Sequence, residues 1–268
     1  MVLKFIPKQV EKPWGRTAIP SMFGETAGRR IGEIWFESPD SAELPLLVKY
    51  IFTSEKLSVQ VHPDDLQARK RGLRRGKSEC WYILEAEPGA TLGLGLREET
   101  SAAKLGEAAA AGSLDELIDW KPVKAGDFFY VPGGTIPAIG AGITLVEFQQ
   151  NADVTYRLYD YGRPRELHLQ EAVAVSTAAP YDQDGSGPSG ASDIVLVNGP
   201  IFTLMRVSSD GPMLASIADR RRWLAPLEGH VRAGPDHASA GECLLVDAGV
   251  KVELSSDAAL LCGAEGMI

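Results

Sequence analysis

Gln60 and His62 stand two residues apart in Leu57-Ser58-Val59-Gln60-Val61-His62, and Lys77 and Glu79 stand two apart in Gly76-Lys77-Ser78-Glu79-Cys80-Trp81-Tyr82-Ile83. Both segments read as β-strands, in which every second side chain shares a face. A neutral amide oxygen, an imidazole and a carboxylate could thus converge on one divalent ion, with an ammonium beside it. Three protein ligands plus an open position is the usual arrangement of a catalytic zinc. Taken singly, each pair has a plainer reading. Gln60 and His62 could be a polar strand end, and Lys77 with Glu79 a surface ion pair contributing about 0–1 kcal/mol.

The elements that must carry these residues are short and β-rich. Segments 32–37, 46–52, 57–62, 79–84, 127–131, 143–149 and 155–159 combine β-branched, aromatic and aliphatic residues between Gly, Pro and Asp turns, the pattern of a sandwich or barrel. Around 98–120 the pattern changes. Ala102, Ala103 and Ala108 to Ala111 predict one short helix, and Ser113-Leu114-Asp115-Glu116-Leu117 a second with Ser113 as its N-cap. The run 181–193, almost wholly Gly, Ser, Pro and polar residues, reads as a linker. Beyond it, 194–197, 201–207, 244–246 and 258–262 are again strand-like. Ala125-Gly126-Asp127, Val131, Gly134 and Leu145 are echoed at equal spacing by Ala240-Gly241-Glu242, Val246, Gly249 and Leu260. Duplicated β modules would produce this, as would chance similarity of two Gly-rich hairpins. The second module has no Gln-x-His or Lys-x-Glu pair, so chemistry is expected in the first.

At 268 residues with a net charge of −9, one or two domains are expected, with a field that repels nucleic acid and anionic membranes. Cys80, Cys243 and Cys262 form no CxxC and fit buried, reduced thiols. The Lys- and Pro-bearing stretch Met1 to Gly15 lacks a signal-peptide core, and no run approaches the roughly 20 apolar residues of a membrane span. A cytoplasmic protein is expected, with neither nucleic acid nor membrane as partner. The cationic run from Arg69 to Arg75 is read as solvated, with steering of a phosphate dianion as the sharper alternative, and Arg220-Arg221-Arg222 is assigned no role.

In order and wording, Lys12-Pro13-Trp14-Gly15, Ile31-Gly32-Glu33-Ile34-Trp35, 57–65, 76–83, 126–142 and 147–165 resemble type I mannose-6-phosphate isomerases, which are zinc-dependent cupins. The resemblance is strong over roughly residues 10–170 and weak beyond. It implies an all-β cupin fold, the double-stranded β-helix or jelly roll, in two β modules. The catalytic module would span 1–177 with the helical insertion around 98–120, the linker 178–193, and the smaller module 194–268. It also implies that Gln60, His62 and Glu79 are zinc ligands, that Lys77, Glu147 and Arg157 are catalytic, and that Lys49 and Ser58 lie near the phosphate of a hexose phosphate substrate. The implied activity interconverts mannose 6-phosphate and fructose 6-phosphate. That chemistry moves a proton between adjacent carbons, so it needs a base, an acid and stabilisation of the enediol oxygens. Lys77 and Glu147 both remain candidates for the base. Where the family has a second histidine ligand this chain has Pro137, which carries no side-chain donor atom. Two outcomes follow: a three-ligand site of reduced zinc affinity, or a non-catalytic sugar-phosphate-binding cupin that has lost its metal.

Overall fold

The computed structural model describes residues 1–181, 187–188 and 193–266; most of the expected linker lies outside the described residues. The chain first lays down β1 (Val2–Lys4), β2 (Ile6–Arg16), β3 (Ile31–Glu37), β4 (Leu46–Phe52), β5 (Val59–Val61), α1 (Asp65–Lys70), β6 (Glu79–Ala86) and β7 (Thr91–Leu96). An excursion through α2 (Ala102–Ala111) and α3 (Leu114–Leu117) leads to β8 (Ile118–Pro122), β9 (Asp127–Val131), β10 (Pro137–Ile139), β11 (Ile143–Gln150), β12 (Tyr156–Tyr159) and α4 (Leu169–Val175). After β13 (Gly187–Pro188) come β14 (Ile194–Asn198), β15 (Phe202–Val207), α5 (Pro212–Ala215), β16 (Arg222–Glu228), β17 (His230–Ala233), β18 (Asp236–Ser239), β19 (Leu244–Val246), β20 (Val252–Leu254) and β21 (Ala259–Glu265).

These strands form an all-β cupin with two related barrels. The first large sheet runs β13-β9-β6-β11-β4-β3-β2 and the second β1-β19-β16-β21-β15-β14. The order β9-β6-β11-β4-β3 thus repeats as β19-β16-β21-β15-β14. The smaller sheets repeat too, with β7 between β10 and β8, and β17 between β20 and β18. The sequence echo therefore falls on equivalent places: Gly126 and Gly241 both take positive φ just before β9 and β19. β1 crosses over to pair with β19, so the first residues of the chain complete the second sheet.

The two large sheets pack face to face. Val146 and Phe148 of β11 join a core with Phe202, Leu204, Trp223 and Leu261 of the second sheet, while Ile143 and Leu145 face the first barrel's interior. Burial on both sides explains why β11 is buried along its whole length. It also means that Glu147 and Gln149, which share a face with Ile143 and Leu145, must point inward. At the centre of this contact Phe148 fits over Gly263, where an added Cβ would lie 2.7 Å from a ring carbon.

Several elements escape periodicity. β2 contains Pro7 and Pro13 yet is a strand because it is a sheet edge, where a missing N–H is tolerated. β7, β8, β10, β16, β17, β18 and β20 are short or Gly- and charge-bearing and gave no clear alternation. In the insertion, Ser101 caps α2 by accepting from the Lys104 N–H at 3.1 Å. Ser113 makes no side-chain cap to α3: the turn that ends α2, with Gly112 left-handed and the Ser113 N–H donating to Ala108 O at 3.0 Å, holds its backbone at φ −98° and ψ 8°, away from the extended conformation of an N-cap. Among the described residues, no helix is long and apolar enough to cross a membrane. Cys80, Cys243 and Cys262 are free and buried; burial pushes the Cys262 thiol up to about 12.

Replacing Gly263 by Ala should cost about 1–3 kcal/mol through overpacking against Phe148. Urea unfolding would show it as a lower midpoint with unchanged slope; an unaltered midpoint would mean the two sheets can slide apart at no cost.

Candidate active site

Between the first barrel's sheets lies a cavity of about 260 Å³ lined by Gln60, Lys77, Glu79, Glu147 and Arg157, together with Lys49 and Ser58. The register explains the convergence. Glu147 of β11 faces Lys49 of β4 on one side and Trp81 of β6 on the other, and Gln149 faces Glu79. Arg157 of β12 lies opposite Gln60 of β5. All eight residues expected from sequence thus meet at one place: seven line the cavity, and His62 is buried against Lys77 and Glu79.

His62 follows β5 in the turn His62-Pro63-Asp64, which is held tightly. Gly134 N–H donates to His62 O at 2.7 Å, Lys77 N–H donates to Pro63 O at 3.0 Å, and Asp64 caps α1 in a capping box with Gln67. Gly133 lets the chain approach, since a Cβ there would meet the Asp64 backbone at 2.6 Å.

The carbonyl of Val154 can only accept, so the 2.8 Å contact with His62 Nδ1 places the ring proton on Nδ1 and leaves a lone pair on Nε2. Burial above all, then the charge of Lys77, holds the His62 pKa well below the ordinary histidine value, so the ring is neutral near pH 7. Nε2 sits 3.4 Å from Glu79 Oε1. That oxygen is buried and makes no aligned hydrogen bond, although Lys77 Nζ approaches it to 2.8 Å. The same ammonium lies 3.3 Å from His62 Nε2.

One positive charge therefore already rests where an imidazole lone pair and an orphaned carboxylate oxygen converge. A neutral imidazole oriented through its far nitrogen, a carboxylate and an amide fit a divalent metal. Pro137 lines the same cavity and offers it no donor atom. Among the described residues no group of three or more His, Cys, Asp or Glu could hold a metal, so the set depends on Gln60.

Glu147 is buried and fixed at both oxygens, Oε1 accepting from Trp81 Nε1 at 2.9 Å and Oε2 lying 3.1 Å from Lys49 Nζ. Lys49 also donates to Gln149 Oε1 at 2.5 Å and lies 4.8 Å from the Trp35 ring centroid. Burial is the largest single influence on Lys49 and opposes its charge, but Glu147, Glu33 and Glu79 together outweigh it and raise its pKa. Arg157 donates to Glu166 O at 2.6 Å, while its Nε is buried without a partner.

Sequence reasoning missed Lys12, Glu33, Trp35, Gln149, Asp153 and Arg165, which also line the cavity. Glu33 with Trp35, and Glu147 with Gln149, alternate on single strands, a signal that was there to be used. Arg165 follows Pro164 in a loop with no periodicity to mark it. The Arg69–Arg75 run lies outside the cavity lining; Arg74 and Arg75 pair with Glu43.

No protein-family model matches the chain. It is 42% identical to the mannose-6-phosphate isomerase of Streptococcus mutans over 66% of this chain and 58% of that protein. It is 36% identical to the mannose-6-phosphate isomerase ManA of Bacillus subtilis over 65% of this chain and 67% of the relative. The chain thus matches less than two thirds of the Streptococcus protein's length. The crystal structure of the Bacillus subtilis mannose 6-phosphate isomerase superposes with a TM-score of 0.81 at 25% identity, covering 98% of this chain and 99% of that one. A zinc-bound mannose 6-phosphate isomerase shares the fold at 14% identity, with a TM-score of 0.73 over 99% of this chain and 100% of the other.

Lys49→Met strands Glu147 as a buried, unpaired charge and should cost about 3–5 kcal/mol. Lys49→Met with Glu147→Leu should recover most of that loss. Denaturant midpoints of the two variants decide the point, and equal losses in both would show that the pair is not coupled. In metal-free protein the neutral native His62 binds no proton where the unfolded chain does, so stability should fall below about pH 6.5 by up to about 1.4 kcal/mol per pH unit. The fall should flatten in His62→Gln when thermal melts are compared from pH 5 to 8.

Proposed function

Because the chain belongs to the mannose-6-phosphate isomerase family, we propose that it interconverts mannose 6-phosphate and fructose 6-phosphate in the first barrel's cavity. The observation that carries this reading is the convergence there of a neutral imidazole, an orphaned carboxylate oxygen, a clamped carboxylate and a guanidinium with an unpartnered donor. We place the chemistry in residues 1–177 and give 194–268 a packing role, with 178–193 joining them. We also place the protein in the cytoplasm, where its thiols stay reduced.

Gln60, His62 and Glu79 would hold the metal, zinc in the first instance, which when bound supplies a Lewis acid that polarises the sugar oxygens. The remaining work falls to the chain's own groups. Arg157, in the cavity lining, offers a permanent cation to negative charge developing on the enediol oxygens. Glu147, held as an acceptor by Trp81 and Lys49, takes the proton from C2 of the aldose and returns it to C1. Lys77 stands beside Glu79 as the proton donor to oxygen, and Ser58 and Lys49 contact the sugar phosphate. Lys77 is the other candidate for the carbon proton.

A second reading, a non-catalytic sugar-phosphate binder, is favoured by Pro137, which faces the cavity without a donor, and by the lysine ammonium already seated on His62 and Glu79. Metal analysis with a coupled isomerase assay separates the two. Stoichiometric zinc and turnover are expected; hexose phosphate binding with neither would establish the second reading. Arg157→Lys should lower kcat about 100–1,000-fold, read in the same assay. Pro137→His should tighten zinc about 10–100-fold by competition with a chromophoric chelator; unchanged affinity in a folded variant would place residue 137 outside the coordination sphere.

A further inference from the structure

Because the second barrel repeats the strand order of the first, the interiors of the two compare row by row. Across β4, β11, β6 and β9 one row reads Leu47, Gln149, Glu79 and Val131. The matching row across β15, β21, β16 and β19 reads Thr203, Ala264, Arg222 and Val246. Arg222 therefore takes the place of Glu79, and Ala264 that of Gln149. Where the first barrel buries a carboxylate beside a long amide, the second buries a guanidinium beside a single methyl group. The row lies at one end of the barrel, where β15 and β16 begin and β21 ends.

Arg222 is 1% exposed; its Nη2 donates to Val250 O at 2.6 Å, and its Nε is buried without a partner. Arg220 joins the row from the turn before β16. Its Nη1 donates to Thr203 Oγ1 at 3.1 Å, and the Thr203 hydroxyl donates to Asn198 Oδ1 at 3.1 Å, while Arg220 Nη2 is buried without a partner. Arg221, between them, is exposed and pairs with Asp247 at 3.3 Å; among the described residues neither Arg220 nor Arg222 forms an ion pair. Burial, opposed by the charges of Cys262 and exposed Asp219, holds the Arg222 pKa below the ordinary arginine value. Cys262 feels both arginines, yet burial pushes its thiol up to about 12, so it brings no negative charge near neutral pH. A guanidinium keeps its proton in any such site, and a buried ion left unpaired costs several kcal/mol.

We propose that Arg220 and Arg222 form an anion site at this end of the second barrel, and that its ligand is a phosphate dianion, free or as the end group of an ester. Two guanidiniums without a carboxylate call for two negative charges, and a tetrahedral oxyanion offers a separate oxygen to each open N–H. The short side chain of Ala264, between Thr203 and Arg222 in the row, leaves the approach to both clear. Neither arginine lines the first barrel's cavity, so the site stands or falls independently of the isomerase reading.

The test is calorimetric titration of the full chain above neutral pH with inorganic phosphate, acetate and fructose 6-phosphate. The unmutated chain should bind one equivalent of inorganic phosphate that Arg222→Met binds about 10–100-fold more weakly, the loss expected for a charged hydrogen bond. Arg220→Gln should show the same loss, and it decides alone if Arg222→Met does not fold. In isotope-labelled protein the Nε–H resonance of Arg222, assigned by its absence from Arg222→Met, should shift as phosphate is added, which places the anion in the second barrel. An equivalent of fructose 6-phosphate lost in the same variants would show that the ester enters as well as the free ion. Isomerase turnover should be the same in all three proteins. Unchanged phosphate binding in a folded variant overturns the site and leaves the two arginines as ties to Val250 and Thr203. Acetate bound as tightly as phosphate overturns the choice of a dianion.

Discussion

Everything the cavity does depends on which face of β11 looks inward. A strand alternates strictly, so a slip of one residue would send Glu147 and Gln149 into the core between the sheets and Phe148 into the cavity. What forbids the slip is the seating of Phe148 over Gly263, together with Val146 against the second sheet. With that side fixed by packing, the other is fixed by covalent geometry. The pairing with β4 and β6 then brings Lys49 and Trp81 to the flanks of Glu147 and sets Glu79 against Gln149. The second barrel thus supplies no group to the cavity lining, yet it determines the direction in which the row of Glu147 and Gln149 points.

The second barrel also serves as an internal control. At the place equivalent to Glu147, β21 has Cys262, flanked by Met205 and Leu224 where the first barrel has Lys49 and Trp81. Its interior is filled by apolar residues such as Val207, Val231, Leu244 and Leu260. The same strand order therefore closes over a mostly apolar interior, which takes in the buried Arg222 on the face of Leu224 but, among the described residues, no buried ion pair, and so avoids the several kcal/mol needed to desolvate both members of each pair. The ion pairs of the first barrel are not a requirement of the architecture. They are a cost borne at one copy only, and the copy that bears it holds the cavity.

Much of this was open to inspection in the sequence, for definite reasons. Gln60/His62 and Lys77/Glu79 were legible because strand periodicity makes neighbours of alternate residues, and β4 and β9 were bounded by clear turns. The order of separated motifs, rather than any spacing, is what carried Arg157 and Lys49, since cross-strand partners far apart in the chain leave no local trace. The hidden parts are those in which tertiary context overrides local preference. β2 is a strand despite two prolines because it lies at an edge. Ser113 fails to cap α3 because the preceding turn holds its backbone outside the extended conformation that an N-cap takes. Arg165 lines the cavity from a loop in which it is clasped to Asp160, and no pattern in Tyr161-Gly162-Arg163-Pro164-Arg165 announces it.

Pro137 belongs to the same line of argument. It opens β10, the edge of the sheet β10-β7-β8, where the absence of an N–H does not break an interior ladder. A proline there is compatible with the barrel, and its consequence is confined to the cavity it lines. What that consequence is depends on charge. The ammonium of Lys77 already lies 3.3 Å from His62 Nε2 and 2.8 Å from Glu79 Oε1, so the metal-free cradle holds a positive charge of its own even though that oxygen has no aligned hydrogen bond. A divalent ion entering there must displace a resident charge, since two cations cannot share those donors at hydrogen-bond distance without strong repulsion. With no donor from residue 137, a metal held by Gln60, His62 and Glu79 would meet that resident charge with fewer ligands than a site bearing a second imidazole would bring, and the balance between ammonium and metal would be correspondingly closer.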